Sequence, residues 1–197
     1  MQFTKPAFRV LGMAECFNKK LRKSILAAVS YRRDGIVDGV YLTWLTVGGL
    51  DATEKIVELV RNTGRQDINA VMLNGCIISW FNIVDIKTLY RELGIPVVCL
   101  SYEESSGLEK FLEKYFPGDE GRLKMYSNLG ERRLVYISSS RSYVYARYEG
   151  IGEEDLRELL NAVTKHGKVP EPLRIAQSIA RAIYLFLEEN DPSFLQK

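Results

Sequence analysis

Acidic and amide side chains occur at three points where a strand-like segment meets a turn or a helix. Glu15 follows one apolar run, Asp51 precedes a helical pattern, and Asn74 follows another apolar run. Because ligands collect at the carboxyl ends of parallel strands in an α/β sheet, we expect these side chains to lie close together. Clustered carboxylates repel one another, and a divalent cation with oxygen ligands relieves that repulsion and can stabilise in-line displacement at phosphorus. The pattern therefore predicts a metal site with phosphoryl-transfer chemistry.

Each of these three residues also has a purely structural interpretation. Asp51 and Glu54 have the spacing of a capping box, in which the Asp51 side chain would accept backbone N–H bonds. Glu15 could be a solvated strand end, and Asn74 before Gly75 is typical of a turn. A helix cap can also be a metal ligand, so both interpretations stay open.

Positive charge accompanies these acids. A basic run follows Glu15, and such a run is usually a solvated loop, but beside an acidic metal site it would bind a phosphate backbone. Arg174 lies in the first turn of the last predicted helix, where the helix dipole disfavours a cation. We expect an anion or a buried carboxylate beside Arg174, or else a side chain that extends over the surface to an acid. The residues of the basic run are Lys19, Lys20, Arg22 and Lys23.

Composition limits the class of protein. The 197 residues are 46% hydrophobic, which excludes a disordered chain. With 27 basic and 25 acidic side chains the net charge is +2, and this value neither predicts nor forbids nucleic-acid binding. No apolar run reaches the ~20 residues of a membrane span. The first residues lack a signal-peptide pattern, and three cysteines without a CxxC motif favour reduced thiols, so we expect a cytoplasmic protein. The single histidine, His166, argues against a Ser-His-Asp, Cys-His or zinc site.

The order of the elements predicts how these residues are positioned. Three successive strand-like runs (8–13, 24–31 and 36–47) predict an antiparallel meander, and the alternation of helices and strands that follows implies parallel strands with crossover helices. This is the order of a ribonuclease-H-like α/β fold, a mixed sheet with helices on both faces, in a single domain over residues 1–197. The predicted helices are 51–63, 83–93, 107–115, 120–129, 153–165 and 171–189, and the predicted later strands are 68–73, 96–100, 133–137 and 143–147. The predicted buried face of the last helix is Ile175, Ile179, Ile183 and Leu187.

Several segments resemble an archaeal family described as endonuclease-V-like, or endonuclease dU. They keep the family's order along most of the chain: RVLGMAECF, TVGGLDATEKI, VMLNGCIISWFNIVDI, PVVCLSYEESSGLE and GKVPEPLRIA. The resemblance implies a ribonuclease-H-like fold and a metal-dependent endonuclease that acts on DNA with a deaminated base such as deoxyuridine. It places the strand-one acid of the family in the stretch that ends at Glu15, the helix-start acid at Asp51 and the strand-four acid at Asn74. Arg174 matches the arginine of the endonuclease V motif Gly-His-Arg-Ile-Ser.

The chain departs from the family pattern at three positions. Ala14 stands where many relatives have aspartate, Asn74 replaces an aspartate, and Leu173 stands where endonuclease V has a histidine. An asparagine can ligate through its carbonyl oxygen but carries no charge. Two formal negative charges would hold one Mg²⁺ weakly, and a two-metal site is unfavourable.

Two functions are therefore considered. The first is a Mg²⁺- or Mn²⁺-dependent endonuclease, in which Glu15 and Asp51 bind the metal, Asn74 is a neutral ligand, and Arg174 contacts phosphate or orients an acid. A damaged base pairs poorly and is extruded cheaply, so residues after the fourth strand could stack on it and hydrogen-bond to it, although core packing is the alternative for the two rings. These residues are Trp80, Phe81 and Asn82. The second function is a non-catalytic nucleic-acid-binding protein that has kept the fold with a degenerate metal site, and a homodimer is compatible with either.

Overall fold

The computed structural model describes residue 5 and residues 7–197, so part of the N-terminal segment considered for a signal peptide lies outside the described residues. The strands are β1 (Arg9–Cys16), β2 (Lys23–Arg32), β3 (Val37–Thr46), β4 (Ala70–Leu73), β5 (Ile77–Ile78), β6 (Asn82–Ile83), β7 (Val97–Ser101), β8 (Arg133–Ile137) and β9 (Ser142–Glu149). The helices are α1 (Ala52–Asn62), α2 (Ile86–Leu93), α3 (Glu109–Tyr115), α4 (Glu120–Asn128), α5 (Glu153–Val163), α6 (Glu171–Asn190) and α7 (Pro192–Gln196). In the part of the chain that the structure describes, no helix is long and apolar enough to cross a membrane.

Seven strands form one mixed sheet in the order β3-β2-β1-β4-β7-β9-β8. Strands β1, β2 and β3 are antiparallel, whereas β1, β4 and β7 run parallel. The β8–β9 hairpin extends the sheet beyond β7, with β9 antiparallel to it. The predicted meander, the parallel strands and the added hairpin are all confirmed.

Both faces of the central strands are covered, which explains the nearly continuous apolar sequences of β1 and β2. On one face, Leu11 and Met13 of β1 pack with Ile56 of α1 and Leu89 of α2. On the other face, residues of the central strands pack with α5 and with the start of α6. The carboxyl ends of β1, β4 and β7 consequently lie at one edge of the sheet, between the two helical layers.

Helix α6 lies against β1 and β2, and its most buried residues are offset by about one position from the predicted ones. The predicted isoleucines and Leu187 are half-buried and pack at the margin of the core. The buried residues are Pro172, Leu173, Ala176, Ala180 and Tyr184. A Cβ atom at Gly12 of β1 would lie 2.5 Å from Pro172 Cβ, so helix and strand are in very close contact. The alanines and Pro172 allow this close approach, while Leu173 and Tyr184 fill the core on either side of them.

The structure also differs from the prediction at several boundaries. Strand β1 extends to Cys16, so Glu15 lies within the strand rather than after it. The predicted helix 83–93 begins at Ile86, because Asp85 caps it by accepting bonds from the N–H groups of Lys87 and Thr88. The residues before it form the small β5–β6 hairpin, which, like α7, the sequence patterns did not predict.

Candidate functional site

Glu15 places a buried carboxylate at the carboxyl end of β1. Its Oε1 atom accepts a hydrogen bond from the N–H of Ser79 at 3.2 Å. Its Oε2 atom is buried and has no hydrogen-bond partner among the described residues. Burial raises the pKa of Glu15 to about 6, and the bond from Ser79 only partly opposes this rise. A buried carboxylate oxygen without a partner is a group that a cation would stabilise.

Asn74 is joined to Glu15 through Gln177 of α6. The Gln177 amide nitrogen donates to the backbone carbonyl of Glu15 at 2.9 Å. The Gln177 amide oxygen accepts a bond from Asn74 Nδ2 at 3.1 Å. Because the Asn74 amide nitrogen is used in this way, its Oδ1 atom is the group left to act as a ligand. The sequence reasoning missed Gln177, although it lies one helical turn after Arg174.

Asp51 belongs to a neighbouring group of hydrogen bonds. Its carboxylate accepts bonds from the N–H of Thr46 at 3.2 Å, from Thr46 Oγ1 at 2.8 Å and from Asn82 Nδ2 at 2.6 Å. The predicted capping box is wrong, since the Asp51 side chain makes no cap bond to α1. Asn82 Oδ1 instead accepts the bond from the N–H of Ala52 at 3.0 Å. The side chain of Asn82 therefore positions Asp51 and the start of α1, and it is fully buried rather than presented to a base.

A strained loop connects these two groups. Ser79, Trp80 and Phe81 are three successive non-glycine residues with positive φ, between 45° and 67°. Such conformations cost on the order of 1–3 kcal/mol each and persist only where the surroundings enforce them. Residue 79 of this loop contacts Glu15, and residue 82 contacts Asp51. The loop thus sets the spacing of the two candidate acids.

Buried Arg122 of α4 holds the strained loop in place. Its guanidinium donates to the carbonyl oxygens of Gly48 at 2.8 Å, Gly49 at 3.1 Å and Phe81, and its Nε atom pairs with Asp119 at 3.0 Å. A single side chain thereby joins the turn before α1 to the loop after β5. The sequence offered no signal for this role, because the contacts join segments more than 40 residues apart.

Trp80 and Phe81 form an aromatic cluster with two residues near the end of α3. Ring centroids lie 5.6 Å apart for Trp80 and Tyr115 and for Trp80 and Phe116, and 5.8 Å apart for Phe81 and Phe116. Trp80 and Phe81 are half-buried, and Tyr115 is exposed. The two rings therefore pack mainly against their neighbours, with part of the cluster left open to a ligand.

Arg174 contacts the segment just before its own helix. Its Nη2 atom donates to the carbonyl oxygens of His166 at 2.8 Å and Val169 at 3.1 Å. Its Nε atom lies 3.6 Å from a carboxylate oxygen of Glu171, which is the acid that the sequence reasoning expected near this arginine. The side chain is half exposed, so part of the guanidinium stays accessible.

The basic run after Glu15 is divided between two environments. Lys19, Lys20 and Arg22 are exposed in the loop between β1 and β2. Lys23 instead places its ammonium group 4.4 Å from the ring centre of Trp44 and 4.2 Å from that of Phe194. Three of the four predicted phosphate-binding residues are therefore available to a polyanion.

A cavity of about 220 Å³ lies beside Asn74, at the carboxyl ends of β4 and β7. Its lining includes Gly75, Cys76, Ser101, Ser105, Arg132 and Arg147. The two arginines give the cavity a positive wall, and the sequence reasoning had not singled them out. The cavity suits a small polar or anionic group rather than a large apolar one.

The donor groups fit one divalent ion better than two. Within the described residues, no group of three or more His, Cys, Asp or Glu side chains is placed to hold a metal. Glu15 Oε2, on the side of the sheet that holds Ser79, lacks a partner in the described part of the chain. Asn74 instead bonds to Gln177 of α6 on the other side of the sheet, and both carboxylate oxygens of Asp51 already accept hydrogen bonds. Magnesium is often held by one or two carboxylates, with water and substrate phosphates as its other ligands. A single weakly held ion on the Glu15 carboxylate, completed by water and substrate phosphates, fits these donors, and a two-metal site does not.

Similar proteins were found by sequence comparison over nearly the whole chain. The sequence model of a family described as endonuclease dU matches residues 6–184. A UPF0215 protein of Pyrobaculum calidifontis is 35% identical over 178 residues, which cover 90% of this chain and 97% of the relative. A UPF0215 protein of Methanosarcina barkeri is 35% identical over 184 residues, covering 92% and 93%.

Solved structures with the same fold were also found. A protein of unknown function from Archaeoglobus fulgidus has a TM-score of 0.77 and 30% identity, over 89% of this chain and 98% of that one. Endonuclease V of Bacillus subtilis has a TM-score of 0.60 at 10% identity, over 93% and 82%. Endonuclease V of Ciona intestinalis, in complex with DNA that contains an inosine followed by a ribo-adenosine, has a TM-score of 0.57 at 11% identity, over 91% and 87%. At such low identity the last two show the fold alone, and they confirm the predicted ribonuclease-H-like architecture.

Proposed function

The chain belongs to the endonuclease dU family, and we propose that it is a divalent-metal-dependent endonuclease that cleaves DNA near a deaminated base such as deoxyuridine. Family and fold support a nuclease-like function. The observation that carries the proposal is the buried Glu15 carboxylate at the end of β1, with one oxygen that lacks a hydrogen-bond partner among the described residues. DNA as the substrate is supported by the DNA complex of the Ciona endonuclease V.

Glu15 would hold the metal ion, which would be Mg²⁺ or Mn²⁺, with water and substrate phosphates as its other ligands. When bound, such an ion supplies Lewis-acid stabilisation of a phosphodiester under attack. The pKa of Glu15, about 6, leaves its carboxylate mostly ionised at neutral pH and therefore able to act as a ligand.

Asp51 and Arg174 complete the proposed catalytic residues. Thr46 and Asn82 hold the Asp51 carboxylate in one orientation, which is the preorganisation that a catalytic acid needs. Arg174 lies one helical turn before Gln177, and the exposed part of its guanidinium would contact a phosphate of the DNA. The exposed residues of the β1–β2 loop, Lys19, Lys20 and Arg22, would bind the phosphate backbone further along.

The cavity beside Asn74 would receive the deaminated base. A poorly paired base leaves the duplex at a low energetic cost, and enzymes that act on such bases read them in a pocket by hydrogen bonds and stacking. At about 220 Å³ the cavity is smaller than the ~300–1,000 Å³ of drug-sized sites, as a site for one planar ring should be. The Trp80 and Phe81 cluster would lie against the neighbouring nucleotides.

A second candidate function is a nucleic-acid-binding protein without catalytic activity. Ala14, Asn74 and Leu173 motivate it, because the family resemblance places each of them where related nucleases have an aspartate or a histidine. The hydrogen bonds that already occupy the Asp51 carboxylate also favour it. This function keeps the DNA contacts proposed above and omits the metal.

A cleavage assay tests both proposals. A labelled duplex with one deoxyuridine, and the same duplex with thymidine, are incubated with Mg²⁺, with Mn²⁺ or with EDTA. We expect nicking of the deoxyuridine strand that requires the metal and is abolished by Glu15→Gln. Glu158→Gln, which changes an exposed acid of α5, is the matched control and should cleave normally.

Two results would reject the nuclease proposal. Unchanged cleavage by Glu15→Gln would remove Glu15 from the catalytic site. DNA binding by the unaltered protein without any cleavage, at every metal concentration, would favour the binding protein instead.

A further inference from the structure

The β8–β9 hairpin carries an aromatic surface that faces solvent. Two residues that lie opposite each other on the paired strands have side chains on the same side of the sheet. The pairs Leu134–Tyr145 and Tyr136–Tyr143 are both on the same side of the hairpin. Leu134 is 54% exposed, Tyr136 is 42% exposed and Tyr143 is 57% exposed. The rings of Tyr136 and Tyr143 lie 4.9 Å apart. We call these four residues the tyrosine face.

The opposite side of the same hairpin is ordinary core. Val135, Ile137, Val144 and Ala146 are buried there and pack with Leu159 of α5 and its neighbours. That side already anchors the hairpin, so the exposed rings of the tyrosine face are not needed to hold it on the sheet. Rings that are large, exposed and adjacent in a folded protein often mark a binding surface.

The charge around the tyrosine face is strongly positive. The segment 131–147 contains four arginines and one glutamate, a net charge of +3, although one of the four, Arg133, lies opposite Ala146 on the other side of the hairpin. The Arg132 guanidinium lies 4.8 Å from the ring centre of Tyr145, so it extends the aromatic surface with a cation. Aromatic rings interleaved with arginines bind single-stranded nucleic acid, since every base can stack and every nucleotide carries a phosphate.

The tyrosine face is continuous with the candidate site. In the sheet, Cys99 of β7 lies opposite Arg147, and Ser101 lies opposite Tyr145. Arg132 and Arg147 also line the cavity beside Asn74. A DNA strand that leaves the cavity would therefore reach the tyrosine face directly.

We propose that the tyrosine face binds a single-stranded segment of the DNA, next to the nucleotide that enters the cavity. Bases stack on Tyr143 and Tyr136, and the surrounding arginines pair with phosphates. Tyr136 and Tyr143 lie opposite each other with ring centres 4.9 Å apart, so the two rings form one continuous platform on which bases stack from the solvent side. The inference rests on the proposed function, which identifies the polymer as DNA. It adds that the DNA substrate is unpaired on one side of the deaminated nucleotide.

Binding of labelled oligo(dT), measured by fluorescence anisotropy in EDTA, tests the proposal without requiring cleavage. Tyr143→Ala should weaken binding by about 5- to 150-fold, the loss typical of one stacked base. Tyr143→Phe keeps the ring and should bind as the unaltered protein does. Phe186→Ala, which removes an equally exposed ring on α6, is the matched control and should have no effect.

Three outcomes would overturn the proposal. The first is equal oligo(dT) affinity for Tyr143→Ala and the unaltered protein, with folding of the variant checked by its melting temperature. The second is tighter binding of a fully paired duplex than of oligo(dT), and the third is binding of oligo(rU) in preference to oligo(dT). If only the nuclease proposal fails, the result is distinguishable, because oligo(dT) still binds through Tyr143 while the deoxyuridine strand is not cleaved.

Discussion

The two ends of strand β1 carry charged side chains in opposite situations. Arg9, at its start, belongs to a group of ion pairs, whereas Glu15, near its end, has a carboxylate with no ion-pair partner among the described residues. At the first end, Arg9 and Arg65 both pair with Asp38, at 2.8 and 3.0 Å. Burial alone would raise the pKa of Asp38, but hydrogen bonds from Ser30, Arg9 and Arg65 outweigh it and lower the pKa to about 2. These charges stabilise the folded state.

The other end of β1 shows the opposite balance. Burial raises the pKa of Glu15 to about 6, and one carboxylate oxygen lacks a partner among the described residues. The adjacent loop contains three strained residues, which Arg122 holds in place. Strain and a desolvated charge both reduce stability, and such costs are concentrated where a protein binds or reacts. The comparison indicates that the charges near Arg9 stabilise the fold, whereas the residues near Glu15 reduce stability and form the candidate catalytic site.

The largest effect is expected from removal of the arginine that holds the strained loop. Arg122→Met leaves the carbonyl groups of Gly48, Gly49 and Phe81 without their donor, and it should lower the free energy of unfolding by about 3 kcal/mol. Cleavage should fall as well, because the loop positions the partners of Glu15 and Asp51. Urea denaturation and the cleavage assay measure the two effects.

The matched control for Arg122 is Arg91→Met, which alters an exposed arginine of α2 and should change stability by no more than about 0.5 kcal/mol. If Arg122→Met were as stable and as active as the unaltered protein, the strained loop would not depend on this side chain.

A smaller effect, on stability alone, is expected at the paired end of β1. Asp38→Asn removes the charge that Arg9 and Arg65 share and should cost about 2 kcal/mol at pH 6. Because the pKa of Asp38 is lowered from 3.8 to about 2, this stabilisation is present above pH 3.8 and is lost as the pH falls toward 2. Urea denaturation of both proteins at several pH values measures the difference.

Asp38→Asn should leave cleavage of the deoxyuridine duplex unchanged, in contrast to Glu15→Gln. A loss of cleavage in a folded Asp38→Asn variant would contradict the division of β1 into a supporting end and a site.

The strands of the sheet and the antiparallel or parallel direction of their pairing could be predicted because the signals for them are local. Strands β1 to β3 are uninterrupted apolar or β-branched runs, and β8 has the predicted bounds because its residues alternate between two environments. Glu15 and Asn74 could be selected since each lies near the end of such a run. Contacts between distant segments have no local signal, which is why Gln177 and Arg122 were missed.

The loop before α2 was mispredicted for a different reason. Ser79, Trp80 and Phe81 adopt a left-handed backbone that sequences usually reserve for glycine or asparagine, so the pattern extended the helix back to Ile83 instead. The role of Asp51 was likewise decided by a distant residue. Asn82 takes the cap position at the N–H of Ala52, and the Asp51 carboxylate turns to Thr46 and Asn82.

The remaining expected effect, which is no larger than that of Asp38→Asn, has the opposite sign and is therefore the sharpest comparison of the two ends. The pKa of Glu15 is raised from 4.5 to about 6, so folding favours its protonated form. Below pH 4.5 the carboxyl is neutral in both the folded and the unfolded state, and above pH 6 the folded state bears the full cost of a buried charge, up to about 2 kcal/mol. Glu15→Gln should thus be more stable than the unaltered protein at pH 7.5 and equally stable at pH 4.

Addition of Mg²⁺ distinguishes a ligand from a merely buried acid. If Glu15 binds the ion, Mg²⁺ at ten times its dissociation constant should raise the stability of the unaltered protein at pH 7.5 by about 1.4 kcal/mol, and it should not stabilise Glu15→Gln. The control Glu158→Gln should respond to Mg²⁺ as the unaltered protein does. A gain in stability for Glu15→Gln that Mg²⁺ leaves unchanged would mean that the carboxylate is buried without being a ligand, and the metal site would then have to be sought elsewhere along the sheet edge.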